Sequence, residues 1–296
     1  MEFVKLSCER SVHARNNTQI HMKKLINHIP LVVFFGLSVL SLLQAQSKKS
    51  AAPETEQKIP FRKIDQTAFD VGEELVYDVN YGWVTAGEAR MCIPRYTMMN
   101  GRKCYNVDFT VFSKPFFDAL YKVRDHYESH IDVEGLYPWK FTQQIREGSF
   151  KRDFTATFDH ARLKAVTDKG EYPLEPFTQD IVSAFYFMRT YNFDGFRPGQ
   201  KVYMKNFYKD SSYVLTVKFL GRQTIKVEAG TFNCVLLEPI MKEGGLFKAS
   251  GRIIVWLTDD EKKIPVQVEA EIPIGSITSE LISYKGLKSP IRAKVH

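Results

Sequence analysis

The first side chains in this sequence that suggest chemistry lie in the segment His126-Tyr-Glu-Ser-His130. Alternation along a strand puts His126, Glu128 and His130 on one face. Because a strand rises about 3.3 Å per residue, the two histidines stand about 13 Å apart and cannot bind the same ion. His126 and Glu128 would need a third ligand from elsewhere in the chain. We therefore predict a solvated, charged strand face and no metal site.

Three adjacent carboxylates, at Asp259, Asp260 and Glu261, suggest acid–base catalysis, since glycosidases use two carboxyl groups. Lys262 and Lys263 follow directly, and the segment joins two predicted strands. This composition is typical of a turn between strands, which we favour over a catalytic site. The sequence has no nucleophile elbow, P-loop or dinucleotide-binding glycine motif. No catalytic residue and no cofactor are predicted, and an enzyme is the less favoured class.

The N-terminal region indicates in which cellular compartment the protein resides. Met22-Lys23-Lys24 is basic, Ile29–Leu43 is an apolar run of 15 residues, and Gln44–Ser47 is small and polar. This order is typical of a secretory signal peptide. The alternative is a membrane anchor, but spanning a bilayer takes about 17–25 residues. We predict a cleaved signal over 22–46, preceded by an upstream extension, 1–21.

The remaining chain is expected to contain a flexible linker, 47–66, and a single β-rich domain, 67–288. Removing residues 1–46 lowers the formal charge from +7 to +4. This small, dispersed excess indicates no nucleic-acid binding. The exported part keeps Cys92, Cys104 and Cys234, an odd number without metal-ligand spacing. We predict that all three are free, buried thiols.

Alternation of apolar and polar residues dominates the chain after Phe69. It predicts a mainly β fold, a large curved antiparallel sheet or open barrel with one covering α-helix. Asn100-Gly101 should close a hairpin. A two-residue turn would put the two apolar sets on opposite faces, so we predict a three-residue loop, Met99-Asn100-Gly101, with Gly101 at positive φ. In that register Cys92 and Cys104 are too far apart along the strands to bond.

One helix is predicted, with Asp180 as its N-cap and apolar residues at helical spacing over Ile181–Tyr191. The favoured interpretation of its Phe185 and Met188 is that they fill the core. The same interpretation is favoured for the aromatic residues that follow the strand break at Pro115, and for a bend at Gly82-Trp83. The alternative is that these side chains line a cavity for an apolar ligand. The candidate binding residues are Trp83, Phe116, Phe117, Tyr121, Phe185 and Met188.

Several short motifs occur in an order that resembles a known family. They are Gly72-Glu73…Tyr77…Tyr81-Gly82…Ala86-Gly87, Ser113-x-Pro115-Phe116-Phe117-Asp118-x-x-Tyr121, Asp180…Ala184-Phe185-Tyr186, Gly230-x-Phe232-x-Cys234, and Ile254-x-Trp256-Leu257-x-Asp259-Asp260 with Pro265 and Gly275-Ser276. The chain thus resembles the exported bacterial family catalogued as domain of unknown function 3108, over about residues 67–286. The resemblance implies export and a domain extent, and no catalytic residues. A looser architectural likeness is to periplasmic lipoprotein-carrier half-barrels, whose concave sheet holds acyl chains.

Two classes of function follow from these observations. The first is a non-enzymatic protein of the periplasm or outer envelope that binds an apolar or amphipathic ligand in a half-barrel. Its expected partners are a lipid, a lipoprotein or an envelope glycan. The second is a polysaccharide-active enzyme whose carboxylates converge in a groove. An apolar, continuous concave face would favour the first class, and two facing carboxylates in a groove would favour the second.

Overall fold

A computed structural model describes residues 62–240, 251–272 and 275–295 of the chain. In these ranges the protein is a large antiparallel sheet with two short helices, α1 (Pro115–Asp118) and α2 (Ile181–Met188). The mainly β prediction is confirmed. The strands are β1 Glu74–Tyr81, β2 Val84–Met99, β3 Arg102–Ser113, β4 Arg124–Asp132, β5 Pro138–Glu147, β6 Phe150–Asp159, β7 Lys164–Thr167, β8 Gly170–Pro173, β9 Lys201–Tyr208, β10 Ser211–Val227, β11 Gly230–Ile240, β12 Ile253–Thr258, β13 Pro265–Glu271, β14 Ser276–Lys285 and β15 Lys294–Val295.

The strand order is β8-β7-β6-β5-β4-β3-β2-β1-β14-β13-β12-β11-β10-β9, and β15 pairs with β11. The sheet curls without closing, since β8 and β9 do not pair as strands. Gln179 reaches across the gap, donating its backbone N–H to Lys205 O and accepting from Phe207 N, both at 2.8 Å. Ser212 also donates to Pro173 O at 3.0 Å. The two edges are therefore connected by a few hydrogen bonds instead of a strand ladder.

The β2–β3 hairpin closes through a two-residue turn, so the predicted three-residue loop is wrong. Met99 pairs with Arg102, and both Asn100 (φ 49°) and Gly101 (φ 75°) adopt positive φ. This is the geometry of the tight turn that an Asn-Gly pair favours, because its twist matches that of the flanking strands. Of the two features predicted for this turn, its length and the positive φ of Gly101, only the second is confirmed.

The apolar faces of β2 and β3 are aligned by a β-bulge instead of by the turn. The register shifts between Cys92 and Arg95, where Pro94 has no N–H to give to the ladder. Beyond this point Met91 pairs with Phe109, as the aligned faces require. Alternation in sequence therefore predicted which faces meet, while the proline that corrects the register was overlooked.

Helix α2 lies on the concave face of the sheet and begins where the sequence predicts. Asp180 Oδ1 accepts from the N–H of Val182 and of Ser183 at 2.7 Å, and Ser183 Oγ accepts from Asp180 N at 2.8 Å. This capping box satisfies the free donors of the first turn. Asp180 Oδ2 also accepts from Ser129 of β4 at 2.6 Å, which fixes the helix start to the sheet. The helix ends at Met188, three residues before the predicted Tyr191.

The core forms on both sides of α2. Val182 and Tyr186 belong to the larger cluster, which contains side chains of β1–β7 and β9–β14. Ala184 and Met188 belong to a second cluster with side chains of β9–β12. Packing also continues outside the expected domain range 67–288. Arg62 donates to Gly135 O at 2.6 Å, and β15 extends the sheet beyond residue 288.

Candidate ligand-binding site

An apolar pocket lies between α2 and strands β9–β13, with a volume of about 370 Å³. This volume falls in the usual range of small-molecule sites, about 300–1,000 Å³. Several lining side chains are only half-buried, so the pocket opens to solvent. The residues that line it are Phe109, Ile181, Ala184, Phe185, Met188, Met204, Asn206, Tyr213, Leu215, Val217, Leu237, Pro239, Ile253, Val255, Leu257 and Val268. We call this space the apolar pocket.

The helix side of the apolar pocket follows from helical periodicity. Ile181, Ala184, Phe185 and Met188 recur at intervals of three and four residues, which places them on one face. The opposite face, which includes Tyr186, is packed into the larger core cluster. One side of the helix therefore contacts filled core while the other side borders free space.

The sheet side of the apolar pocket follows from strand alternation. Met204 pairs with Leu215 across β9 and β10, and Val255 pairs with Val268 across β12 and β13. Side chains of paired residues point to the same face, so each pair adds one apolar rung to the floor. Among the described residues that line this space, none carries a charge. Such a floor can hold a hydrocarbon chain but offers an ion no partner.

Of the six predicted binding residues, two line the apolar pocket, Phe185 and Met188. Trp83 lies at the tip of the β1–β2 hairpin and is 96% exposed. Phe116, in α1, is 77% exposed and contacts Phe117 edge-on, with ring centroids 5.3 Å apart. The favoured core interpretation is therefore wrong for Trp83 and Phe116, because both project from connections beyond the packed faces. Neither lines the apolar pocket.

Tyr121, the remaining predicted residue, lies near two acidic groups that the sequence analysis missed. Burial raises the pKa of Glu147 to about 7, and the charge of Asp125 adds to this shift. Burial also raises the pKa of Asp125, which accepts a hydrogen bond from Arg146 N at 2.9 Å. Burial and the charge of Glu147 raise the pKa of the Tyr121 phenol. Asp125 makes Glu147 harder to ionise, as a close acidic group does. The signal in the sequence was two acidic residues at inward-facing positions of adjacent strands.

The three consecutive carboxylates border a second, polar cleft of about 500 Å³. Asp259 accepts from Arg222 at 2.7 Å, and Glu261 accepts from Arg292 at 2.5 Å. Asp260 accepts from the Thr258 hydroxyl at 2.8 Å and from Lys262 N at 3.0 Å, as a turn residue does. All three are thus occupied by ion pairs or turn bonds. The predicted turn between two strands, β12 and β13, is confirmed.

The histidines of β4 have partners of their own. His126 Nε2 is 2.6 Å from Asp108 Oδ1, and His130 Nδ1 is 3.0 Å from the Thr97 hydroxyl. Glu128 accepts from Asn106 Nδ2 at 2.7 Å. In the described part of the chain, no group of three or more His, Cys, Asp or Glu side chains is arranged to hold a metal ion.

The three cysteines of the described chain are free, as predicted, but only Cys104 and Cys234 are buried, so the predicted burial is wrong for the half-buried Cys92. Cys104 pairs with Thr97, whereas Cys92 pairs with Asp108, so the two thiols lie four residues apart along the ladder. Burial raises the pKa of Cys104 and of Cys234 to about 12, and both act as small apolar side chains.

Among the described residues, no helix has the length and apolar character needed to cross a bilayer. A family model described as protein of unknown function, DUF3108, matches residues 76–282. No curated protein matches the chain.

Several solved structures are similar. A beta-barrel-like protein of the DUF1849 domain from Brucella abortus has 12% identity and a TM-score of 0.49, with 74% of this chain and 99% of that one covered. A candidate exported protein with a YmcC-like fold from Bacteroides fragilis has 12% identity and a TM-score of 0.35, with 77% and 100% covered. A candidate lipoprotein from Parabacteroides distasonis has 9% identity and a TM-score of 0.34, with 75% and 100% covered.

Proposed function

The chain belongs to the DUF3108 family, whose function is unknown, and we propose that it is an exported envelope protein that binds an apolar or amphipathic ligand without transforming it. The observation that supports this is the apolar pocket beside α2. Small-molecule sites are typically concave and mostly apolar with a few polar groups, which describes this pocket. The pocket is bordered by rigid elements, a capped helix and five paired strands, so it is formed before any ligand enters.

The charge distribution favours binding over hydrolysis. A glycosidase needs two free carboxyl groups flanking its substrate. Five carboxylates line the polar cleft, at Asp65, Asp194, Asp259, Asp260 and Glu261, and two of them, Asp259 and Glu261, are paired with arginines. The carboxyls with a raised pKa, Asp125, Glu147 and Asp180, do not line that cleft. The mainly apolar lining of the pocket beside α2 supports carriage, the first of the two classes.

Export to the periplasm or outer envelope is part of the proposal and is supported by the signal pattern at 22–46. An apolar ligand is poorly soluble in water, so a protein that carries it between membranes must shield it. A pocket that opens to solvent on one side suits such exchange. A lipid, or the acyl part of a lipoprotein, has the chemistry that fits this lining.

The first test is mass spectrometry of organic extracts from the protein purified out of cell envelopes. Wild type is expected to release a stoichiometric apolar compound. Leu215→Trp, which adds bulk to the half-buried floor of the pocket, should release much less while the melting temperature stays equal or rises. Phe185→Leu keeps most of the side-chain bulk, so its melting temperature should be close to that of wild type. It should nevertheless carry less ligand, because the Phe185 ring lines the pocket.

A matched control is Phe187→Leu, the same change on the same helix. Phe187 does not line the pocket. The centroid of its ring is 5.5 Å from that of Tyr191 and 4.5 Å from Cζ of Arg62. Its ligand content should equal that of wild type. A wild-type protein that releases no apolar compound would contradict the proposal. So would an equal loss of bound ligand in Phe185→Leu and Phe187→Leu.

A further inference from the structure

The apolar pocket is half-buried at one end and fully buried at the other. On β12 the exposure falls from the half-buried Ile253 to Leu257, which is 1% exposed. On β11, which runs antiparallel beside it, the exposure falls in the same direction, from the half-buried Pro239 to Leu237 at 2%. All four side chains line the pocket. The pocket therefore has an open end beside Ile253 and Pro239 and a buried end beside Leu257 and Leu237.

Two stacked aromatic rings close the buried end. Val217 lines the pocket, and Phe219 follows on the same face of β10, in register with Leu237. The Phe219 ring stacks on that of Phe193, with the centroids 5.9 Å apart and 13° between the planes. Both residues are 1% exposed, and they belong to the same core cluster as Leu257. The space beyond Val217 is therefore filled, and a chain that enters from the open end meets a wall of packed side chains.

The volume of the pocket determines how much hydrocarbon it can hold. Benzene, which has six carbons, occupies an engineered apolar protein cavity of about 150 Å³. The apolar pocket, at about 370 Å³, has about two and a half times that volume, which corresponds to about 15 carbons. A lipid with two chains of this length would need about twice the space. The pocket therefore has room for one chain.

We propose that the apolar pocket takes a single hydrocarbon chain of about 12–15 carbons, which enters tail first and places its terminal methyl group beside Leu257. This inference rests on the proposed function, since it assigns the ligand class of the same pocket. Among the described residues that line the pocket none is charged, so a charged head group gains nothing from burial and stays in water at the open end. The pocket therefore selects an amphiphile by the number and length of its chains.

The first test measures the affinity of the full exported protein, stripped of ligand, for straight-chain alkanoates of eight to 18 carbons. Isothermal titration calorimetry is done below the micelle concentration of each probe. The affinity should rise about fourfold for each added carbon while the chain is being buried. Beyond about 15 carbons it should reach a plateau, because further carbons stay in water. A rise that continues unchanged to 18 carbons would overturn the closed end, whereas failure of every alkanoate to bind would contradict the proposed function itself.

The variant Val217→Phe adds bulk to the floor next to the closed end, so its plateau should begin at shorter chains than in wild type. A matched control is Val214→Phe, the same change on the same strand. Val214 does not line the pocket, and alternation places it on the opposite face, so its plateau should equal that of wild type. Equal shifts in both variants, or a shift in neither, would overturn the position assigned to the end of the chain. The wild-type series decides the question if Val217→Phe fails to fold.

The number of chains is tested with decyltrimethylammonium and didecyldimethylammonium, which carry the same charge and differ by one chain. The two probes should bind with about equal affinity, because the second chain finds no room in the pocket. Much tighter binding of the two-chain probe would overturn the single-chain assignment and leave the proposed function in place.

Discussion

Arg189 and Glu73 form a two-pronged ion pair inside the protein, with side-chain exposures of 0% and 1%. Arg189 Nη1 donates to Glu73 Oε1 at 2.6 Å and Nη2 donates to Oε2 at 2.8 Å. The guanidinium also donates to the backbone oxygens of Ala68 and Lys262, at 3.3 and 3.2 Å. This pair joins the end of α2 to the start of β1 and so fixes the helix that borders the apolar pocket.

Removing one member of this pair should destabilise the protein strongly. Arg189→Met leaves Glu73 charged and buried without a partner, and the free energy of unfolding should fall by about 3–5 kcal/mol. Glu73→Leu together with Arg189→Met should cost less than the sum of the single changes, because neither charge is then left alone. Urea denaturation measures all three variants.

A surface pair provides the control for this measurement. Lys205 donates to Glu175 at 2.8 Å, but the side chains are 43% and 59% exposed. Lys205→Met should therefore change the free energy of unfolding by less than about 1 kcal/mol. Similar losses in Lys205→Met and Arg189→Met would show that burial does not determine the contribution of the Arg189–Glu73 pair.

Much of this fold could be predicted from local pattern. Alternation over β1–β3 and the cap at Asp180 depend on neighbouring residues, so a sequence displays them directly. The Arg189–Glu73 pair could not be predicted, because its members lie 116 residues apart and meet only when the sheet curls. The turn at Asn100-Gly101 was predicted wrongly because the register also depends on the bulge at Pro94.

In the candidate site, too, the features that depend on neighbouring residues could be predicted, and those that depend on residues distant in sequence could not. Helical spacing identified Phe185 and Met188, since periodicity determines which side chains share a face. Alternation cannot tell whether the space opposite a face is filled, so Met204 and Leu215 were not recognised. The burial of Trp83 was predicted wrongly, because the sequence does not distinguish an aromatic side chain at the tip of a turn from one that packs in the core.

The thiols should differ in reactivity between the native and unfolded protein. The exported chain has three cysteines, and a thiol reagent should label all three after denaturation. In the native protein Cys104 and Cys234 should not react, because they are buried and their pKa values are raised to about 12. Cys92 is half-buried and should react slowly, so Cys92→Ser should abolish native labelling. A linked Cys92–Cys104 peptide would show that the β2–β3 register is wrong.

The signal peptide prediction falls in residues 1–61, which lie outside the described residues. N-terminal sequencing of the exported protein is expected to begin within a few residues of Ser47. The reason is the order of basic residues, a short apolar run and small polar residues at Gln44–Ser47. A mature species that retains Ile29–Leu43 would support the membrane anchor instead.

The last prediction concerns the dependence of stability on pH. The pKa of Glu147 is about 7 in the folded protein, raised from 4.5 mainly by burial and further by Asp125. Between these two values the folded protein holds a proton that the unfolded chain has released. The free energy of unfolding therefore falls as the pH rises through this window, and the full loss is present above about pH 7.

The variant Glu147→Gln isolates this effect, because it mimics the protonated acid at every pH. It should match wild type below about pH 4.5 and be more stable by on the order of 2 kcal/mol above about pH 7. Asp180, whose pKa burial raises to about 6, titrates in both proteins and cancels in the difference. Glu171→Gln, at an exposed carboxylate paired with Lys164, should give a curve parallel to that of wild type. If the curve of Glu147→Gln also ran parallel to that of wild type across the window, a raised pKa of Glu147 in the folded protein would be ruled out.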